Sequence, residues 1–485
     1  MLGNISALRG LSASSRRYTY RIPAFLSLDR RFDDQVGSEG VSPFAYNVET
    51  DGGVLQRCKG FSKVKKYNRA INGYGYLPKH QGIKKIFSLH NDYGDTAIYP
   101  LCDDGLYKES LWFGSSEYVK VDDIGDSKVM FEYVGKDEEG AQTKYVVRSG
   151  PSGLTVSGAG GTWVLADHGF NSAVIFAERL FGVGAPKQPN RIYFSAQFLP
   201  YEFTEDIDKG GYIDVDPSYG RAQDMLILGD CIYVIWEYGI TRLKAYGYQS
   251  EFVLSSCYKS TSRILRGVRI CANRMVFVAQ DGIYSFDGGN IKSIGEQIFS
   301  FVELGGCNEV VSGFDKERYY LSVHSNEFEG EGNNILLRYD IRDGKWCIFT
   351  VGATCIERID TGMTEELVMV LGDGYAYCFD ESDSFGDKEI EAGWSTPLSS
   401  WGKPESVKDV KAIYISAQGN GRLTVTLESE YGKVTKSFYT QGVRKVFRIP
   451  MRLRGRLLRM VFTNCDGCDF VIAEPTVIFT LDQGR

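Results

Sequence analysis

Seven cations fall within seventeen positions in RKVFRIPMRLRGRLLRM, residues 444–460, with no acid among them: Arg444, Lys445, Arg448, Arg452, Arg454, Arg456 and Arg459. Guanidinium groups at this density suit the holding of oxyanions, either DNA phosphates or the carboxylates of a protein surface. From Phe447 to Leu457 the residues alternate: Phe447, Ile449, Met451, Leu453 and Leu457 on one side, Arg448, Arg452, Arg454 and Arg456 on the other. A period of two predicts a strand with one apolar and one charged face. Same-face neighbours in a strand lie roughly 6.6 Å apart, so four guanidiniums would line about 27 Å. Pro450 cannot donate to a ladder, which predicts an edge strand or a break between two strands. Two roles follow: pairing with acids of the same assembly, or contact with DNA.

Other chemistry has few residues to work with. Histidine occurs only at 80, 90, 168 and 324. Cys465-Asp-Gly-Cys468 is a single CxxC with no second pair and no His-x-x-x-His partner, so it reads as a hairpin with incidental thiols. EDIDKGGYIDVD (205–216) spaces Asp206, Asp208 and Asp214 loosely like a calcium loop but lacks the distal Glu, and reads as a solvated acidic loop. SGAGGTW (157–163) and FGVGAPK (181–187) match neither phosphate-binding glycine pattern and read as turns. YDIRDGKW (339–346) keeps part of the S-x-D-x-G-x-x-W turn of sialidase-type propellers through Asp343, Gly344 and Trp346. That turn is a structural staple; glycoside hydrolysis would also need arginines and a Tyr/Glu pair at a propeller centre. The expectation is therefore no catalytic residue, no metal and no cofactor.

The elements that must hold the arginines are β-strands. The chain has 485 residues, enough for two or three domains. With 55 Gly, 30 Tyr and 28 Phe against 13 Pro, it favours many short strands and tight turns. One phrase, a turn and then an alternating aromatic strand, recurs. It appears as DDGLYK (103–108), PSGLTV (151–156), EYGITRL (237–243), QDGIYSF (280–286) and GDGYAYCF (372–379), and more loosely as PNRIYFS (189–195) and NNILLRYD (333–340). Steps of 48, 43 and 40 residues separate markers, the length of one four-stranded propeller blade. The fold class expected is all-β: a propeller of six or seven blades over residues 61–390, then a C-terminal β-sandwich over 391–485. Residues 1–60 are expected to form an arm and a propeller-closing segment, with 41–64 lending a strand to the last blade near Gly374–Asp380. The polar stretch 381–410 reads as an exposed linker.

Charge separates the two regions. Residues 391–485 hold 14 Lys+Arg and 9 Asp+Glu, a balance of +5, whereas the other 390 residues hold 41 and 53, a balance of −12. Two surfaces with different partners are implied. The first acid is Asp29, after Arg9, Arg16, Arg17 and Arg21, a composition shared by transit peptides and by basic arms that dock on a partner; the second reading is preferred. The 11 cysteines are scattered and odd in number, as expected of reduced core thiols made in a cytosol. No apolar run reaches the roughly eighteen residues of a membrane span.

Several stretches resemble the packaged-DNA stabilisation (head-to-tail connector hub) proteins of short-tailed bacteriophages and the related tail nozzles. In YNVETDGGVLQRCKGFSKV (46–64), Asn47, Gly53, Leu55 and Gly60 match the opening segment, and Lys59 stands where proline is usual. RLFGVGAPKQPNRIYFSAQFLPYEF (179–203), DMLILGDCIYVIWEYGITRLKAYG (224–247) and RMVFVAQDGIYSFDGGNIKSI (274–294) resemble the blades that follow, and RKVFRIPMRLRGRLLRMVF (444–462) the basic C-terminal segment. The likeness spans about residues 45–480 as loosely specified phrases. It implies a structural virion protein assembled in the host cytoplasm into a tail ring, usually of six copies. Such a ring lies below the portal and its adaptor, retains packaged DNA, continues the ejection channel for double-stranded DNA of any sequence, and anchors fibres, spikes or a needle. At this length the chain is closer to the hub than to the nozzle. The alternatives are a propeller acting as an interaction scaffold outside a virion, and a propeller glycosidase.

Overall fold

The computed structural model describes residues 16–31, 40–68, 72–91, 95–112, 115–122, 127–206, 209–304, 307, 309–379 and 382–482. The chain divides into two units: residues 59–387, and residues 1–58 together with 388–485.

Residues 59–387 build seven antiparallel blades, six of them four-stranded and the seventh continued past its fourth strand by Ser384–Phe385, which lies parallel to that strand. The innermost strands are Ile83–His90, Val129–Lys136, Ser172–Phe176, Ala222–Leu228, Arg269–Cys271, Val311–Asp315 and Ala353–Asp360. Each packs beside the innermost strand of the next blade, and the seventh packs beside the first, which closes the ring. Hydrogen bonds join the ends of the circle, among them Thr354 Oγ1 donating to the Ile83 carbonyl (3.0 Å) and Asp360 N donating to Ser88 Oγ (3.1 Å).

The seven recurring phrases are the seven third strands. Gly105, Gly153, Gly239 and Gly282 each open the third strand of their blade, and Arg191–Phe194, Ile335–Asp340 and Ala376–Phe379 complete the set. At Gly105 and Gly239 a Cβ would run into the carbonyl of Asp122 or Tyr258 on the facing fourth strand. Close backbone approach thus makes glycine the marker.

The seventh blade takes its fourth strand from the far N-terminal side. Phe61–Lys63 pairs antiparallel with Ala376–Phe379, Tyr377 opposite Lys63 and Phe379 opposite Phe61. The closing strand foreseen within 41–64 is therefore present, but of that segment only Phe61–Lys63 serves. Phe61 lies among Phe385 (4.8 Å between centroids), Phe379 (4.9 Å) and Phe349 (5.8 Å). Elsewhere the core lies between blades: Ile232, Val234 and Trp236 pack with Phe181, Ile192 and Phe194, and Tyr233, Ile235 and Ile240 pack with Met275 and Phe277.

The second unit turns on one long strand, Val407–Ser429. Its first part pairs with Lys445–Gly455 on one side and Phe470–Asp482 on the other. Its second part pairs with Gly432–Gln441 and Leu458–Asn464. Gly419 (φ +148°) and Gly421 (φ +145°) mark the change, where a Cβ would strike Asp469 or Cys468. Ile413, Ile415 and Ala417 before the change, and Leu423, Val425 and Leu427 after it, are all buried. The result is a nearly closed sheet with the two layers expected of a small β-sandwich, joined through a shared strand.

The N-terminal region belongs mostly here, a difference from the expected arm. Arg17–Arg21 and Leu55–Arg57 pair with Phe470–Asp482, and Ala45–Tyr46 pairs with Gly393–Ser395. Apolar residues explain it: Phe25 packs edge-on against Trp394 (4.7 Å), and Tyr20 stacks on Trp401 (4.7 Å, 5°). The expected exposed linker over 381–410 is corrected as well, because Ile390, Trp394 and Thr396 within it are almost wholly buried. The basic leader up to residue 15 and its targeting reading lie outside the described residues.

Candidate functional site: an arginine edge and an axial cavity

Lys445–Gly455 is a strand, as the alternation predicts, and among the described residues it has no strand beyond it. Ile449 and Met451 are buried and Phe447 and Leu453 half-buried, while Arg448, Pro450, Arg452 and Arg454 are exposed. Pro450 sits opposite Ala412 beside a one-residue register shift. Gly432–Gln441 continues the same open edge, and Phe438 meets Phe447 across the intervening bend (4.9 Å). Tyr439, Val443 and Val446 stand exposed along it at 66–70%.

The seven candidate cations divide into three groups. Arg448, Arg452 and Arg454 lie on the outer face of the strand, with Arg444 and Lys445 at its exposed start. Arg456 lies just past its end, in a bend held from both sides: Glu430 accepts from the backbone N–H of Arg456 (2.6 Å) and Leu457 (3.0 Å), and Lys408 Nζ donates to the Arg456 carbonyl (2.7 Å). Burial opposes ionisation of Glu430, but those two N–H donors prevail and hold its pKa below the usual value. Lys408 also donates to the carbonyls of Lys403 and Ser406, and burial lowers its pKa. Arg459 is on the next strand, half-buried and 3.9 Å from Glu428, so it is not part of the strip. Arg454 pairs with Asp482. Among the described residues no ion pair engages Arg444, Lys445, Arg448, Arg452 or Arg456.

A second cluster escaped the sequence reading. The starts of the innermost strands surround a cavity of about 230 Å³ on the propeller axis, to which every blade contributes. Lys85, Lys128, Arg266 and Arg269 line it with Asp224, Glu309 and Glu357, and Lys84 stands at its margin paired outward with Asp103. Arg269 Nη2 lies 3.1 Å from Glu357, and Lys128 and Arg266 lie 3.7 and 3.9 Å from Glu309. No motif announces this group, because its members come from different blades and meet only when the ring closes.

The remaining motifs are structural. Asp340 accepts from the N–H groups of Arg342 (3.0 Å) and Asp343 (3.2 Å), and Trp346 Nε1 donates to the Ile294 carbonyl (2.7 Å), so YDIRDGKW is a stapled turn in blade six. In the acidic loop Asp214 binds Arg191 (2.8 Å) and Asp216 caps Ser218 (2.8 Å); Asp208 lies outside the described residues. All eleven cysteines are thiols, six of them buried. Among the described residues no group of His, Cys, Asp and Glu is arranged to hold a metal, and no helix is long and apolar enough to cross a membrane.

The chain is thus a seven-bladed β-propeller joined to a second all-β unit. No protein-family model and no curated protein matches its sequence. Among solved structures it is similar to the WD40 domain of Pan2 from Neurospora crassa, at 8% identity and a TM-score of 0.38, over 64% of this chain and 92% of that one. At that distance the fold rests on the closed ring of seven sheets itself.

Proposed function

We propose that this chain is a structural, non-catalytic virion protein, a tail hub of a short-tailed bacteriophage that assembles through its arginine edge into a ring of several copies, six by the resemblance. In this reading the ring lies below the portal and adaptor, retains and conducts packaged DNA, and anchors tail fibres, spikes or a needle. One observation carries it: five exposed cations without an ion-pair partner among the described residues lie along and just beyond an edge strand that has no strand partner on its outer side among the described residues. An open edge of this kind is a template for strand addition, and natural proteins cover such edges or charge them. The acidic balance of the rest of the chain supplies a complementary surface on a second copy or on the adaptor.

The test is R448Q/R452Q/R456Q, which spares Arg454 and its internal partner. Light scattering and negative-stain images of the variant should show loss of rings that the parent forms, alone or with its adaptor, at unchanged melting temperature. If rings persist while DNA binding loses salt dependence, the strip faces phosphates, since binding there falls with a slope of roughly −0.9 per phosphate neutralised. A parent that stays monomeric with and without an adaptor would instead assign the chain to the scaffold class.

A further inference from the structure

Among the described residues, the lining of the axial cavity has a charge imbalance. Setting aside Lys84, which turns outward to Asp103, the lining carries four cations, Lys85, Lys128, Arg266 and Arg269, and three acids, Asp224, Glu309 and Glu357. The acids are engaged. Glu357 meets Arg269, Glu309 lies between Lys128 and Arg266, and Asp224 accepts from Ser172 Oγ (2.7 Å) and from the N–H of Met225 (3.0 Å). Lys85 is the group left over. Its only hydrogen bond among the described residues goes to the Lys128 carbonyl (2.9 Å), and no carboxylate lies within ion-pair distance. Burial lowers its pKa, with Glu357 opposing and the nearby Arg266 and Arg269 adding to the effect. An ammonium with two unused donors, in a cavity with one surplus positive charge, calls for an anion.

We infer that this cavity is a binding site for a small oxyanion of the phosphate class, held by Lys85 with Lys128 and Arg266 around it. The size sets the class. About 230 Å³ admits an inorganic oxyanion and a few waters and falls short of the roughly 300 Å³ at which sites for larger organic ligands begin. The position sets the consequence: a ligand touching residues of the first, second and fifth blades ties together strands far apart in sequence, so binding stabilises the closed ring. This site is independent of the arginine edge and of the function proposed for it.

The experiment uses the full-length protein and inorganic phosphate, with sodium chloride at matched ionic strength as control. Titration calorimetry should detect phosphate binding, and the melting temperature should rise with phosphate but not with chloride. Lys85→Met should weaken phosphate binding by about tenfold or more, the usual effect of losing a charged hydrogen-bond donor. Should that variant fold poorly, Lys128→Gln removes a second donor from a less buried position and should also weaken binding. Glu309→Gln should act in the opposite direction and tighten it, because it enlarges the positive surplus. No phosphate effect beyond the chloride control overturns the inference. Equal affinity in the parent, Lys85→Met and Lys128→Gln overturns it as well, as would weaker binding in Glu309→Gln.

Discussion

Glu430 shows how one side chain can fix the end of the arginine strip. It is an exposed carboxylate at the turn after Val407–Ser429, yet it accepts two backbone N–H groups from Arg456 and Leu457. Its pKa is held below the usual 4.5, so its contribution to stability is fully present above that value and is lost as pH falls through the lower, folded-state pKa. Glu430→Gln should therefore destabilise the second unit by about 1 kcal/mol at neutral pH, a figure already reduced for solvent exposure. The gap between parent and variant should close as the pH falls below the ordinary carboxylate range and through the lowered folded-state pKa, measured by urea unfolding. A constant gap would mean that the charge of Glu430 is irrelevant. The sequence makes Arg456 visible as one of a basic series, but it does not say that its backbone is pinned by Glu430 and Lys408, which are 26 and 48 residues away in the chain.

Strands repeat a lesson on period and closure. The alternation in 447–457 and the seven third-strand phrases are local patterns, and both are real strands in the structure. Phe61–Lys63 is different: three residues supply the fourth strand of the seventh blade, and Phe61 fills the space among three other phenylalanines. Phe61→Ala should cost about 3–5 kcal/mol, the usual penalty for emptying a buried aromatic site. It should also raise hydrogen exchange first in Ala376–Phe379, which loses its packed neighbour. Exchange that rises evenly over all seven blades would argue against a closing role for this strand. The residues singled out by their phage likeness have local reasons of the same kind. Asn47 adopts a positive φ (54°) and donates from its side chain to the Glu391 carbonyl (2.5 Å), and at Gly60 a Cβ would strike the Ser384 carbonyl.

The division of the chain makes a separate prediction. Residues 59–387 contain all seven blades and the closing strand, whereas the second unit draws on both termini. A fragment of residues 59–387 should fold by itself, with a cooperative melt and the near-ultraviolet dichroism of its buried aromatics. Residues 388–485 alone should not, since they lack Arg17–Arg21, Leu55–Arg57 and the Phe25 ring against Trp394. Restoring 1–58 as a separate peptide should recover the fold; a well-folded 388–485 fragment would show that the N-terminal strands are dispensable. Cleavage by a protease is expected outside 390–396, where Ile390, Trp394 and Thr396 are buried despite the polar composition around them.

Period, turn chemistry and charge are properties of neighbouring residues, so the all-β class, the blade phrase, the edge character of the Pro450 strand and the basic strip could all be read directly along the chain. Burial and long-range pairing are not. That Arg459 leaves the strip and Arg454 pairs with Asp482, that the N-terminal strands join the C-terminal sheet, and that Lys85, Lys128, Arg266 and Arg269 gather around one cavity all depend on contacts between distant segments. Such contacts exist only once the ring has closed and the long strand has bent at Gly419 and Gly421, because it is closure and bending that bring those distant backbones within hydrogen-bonding reach.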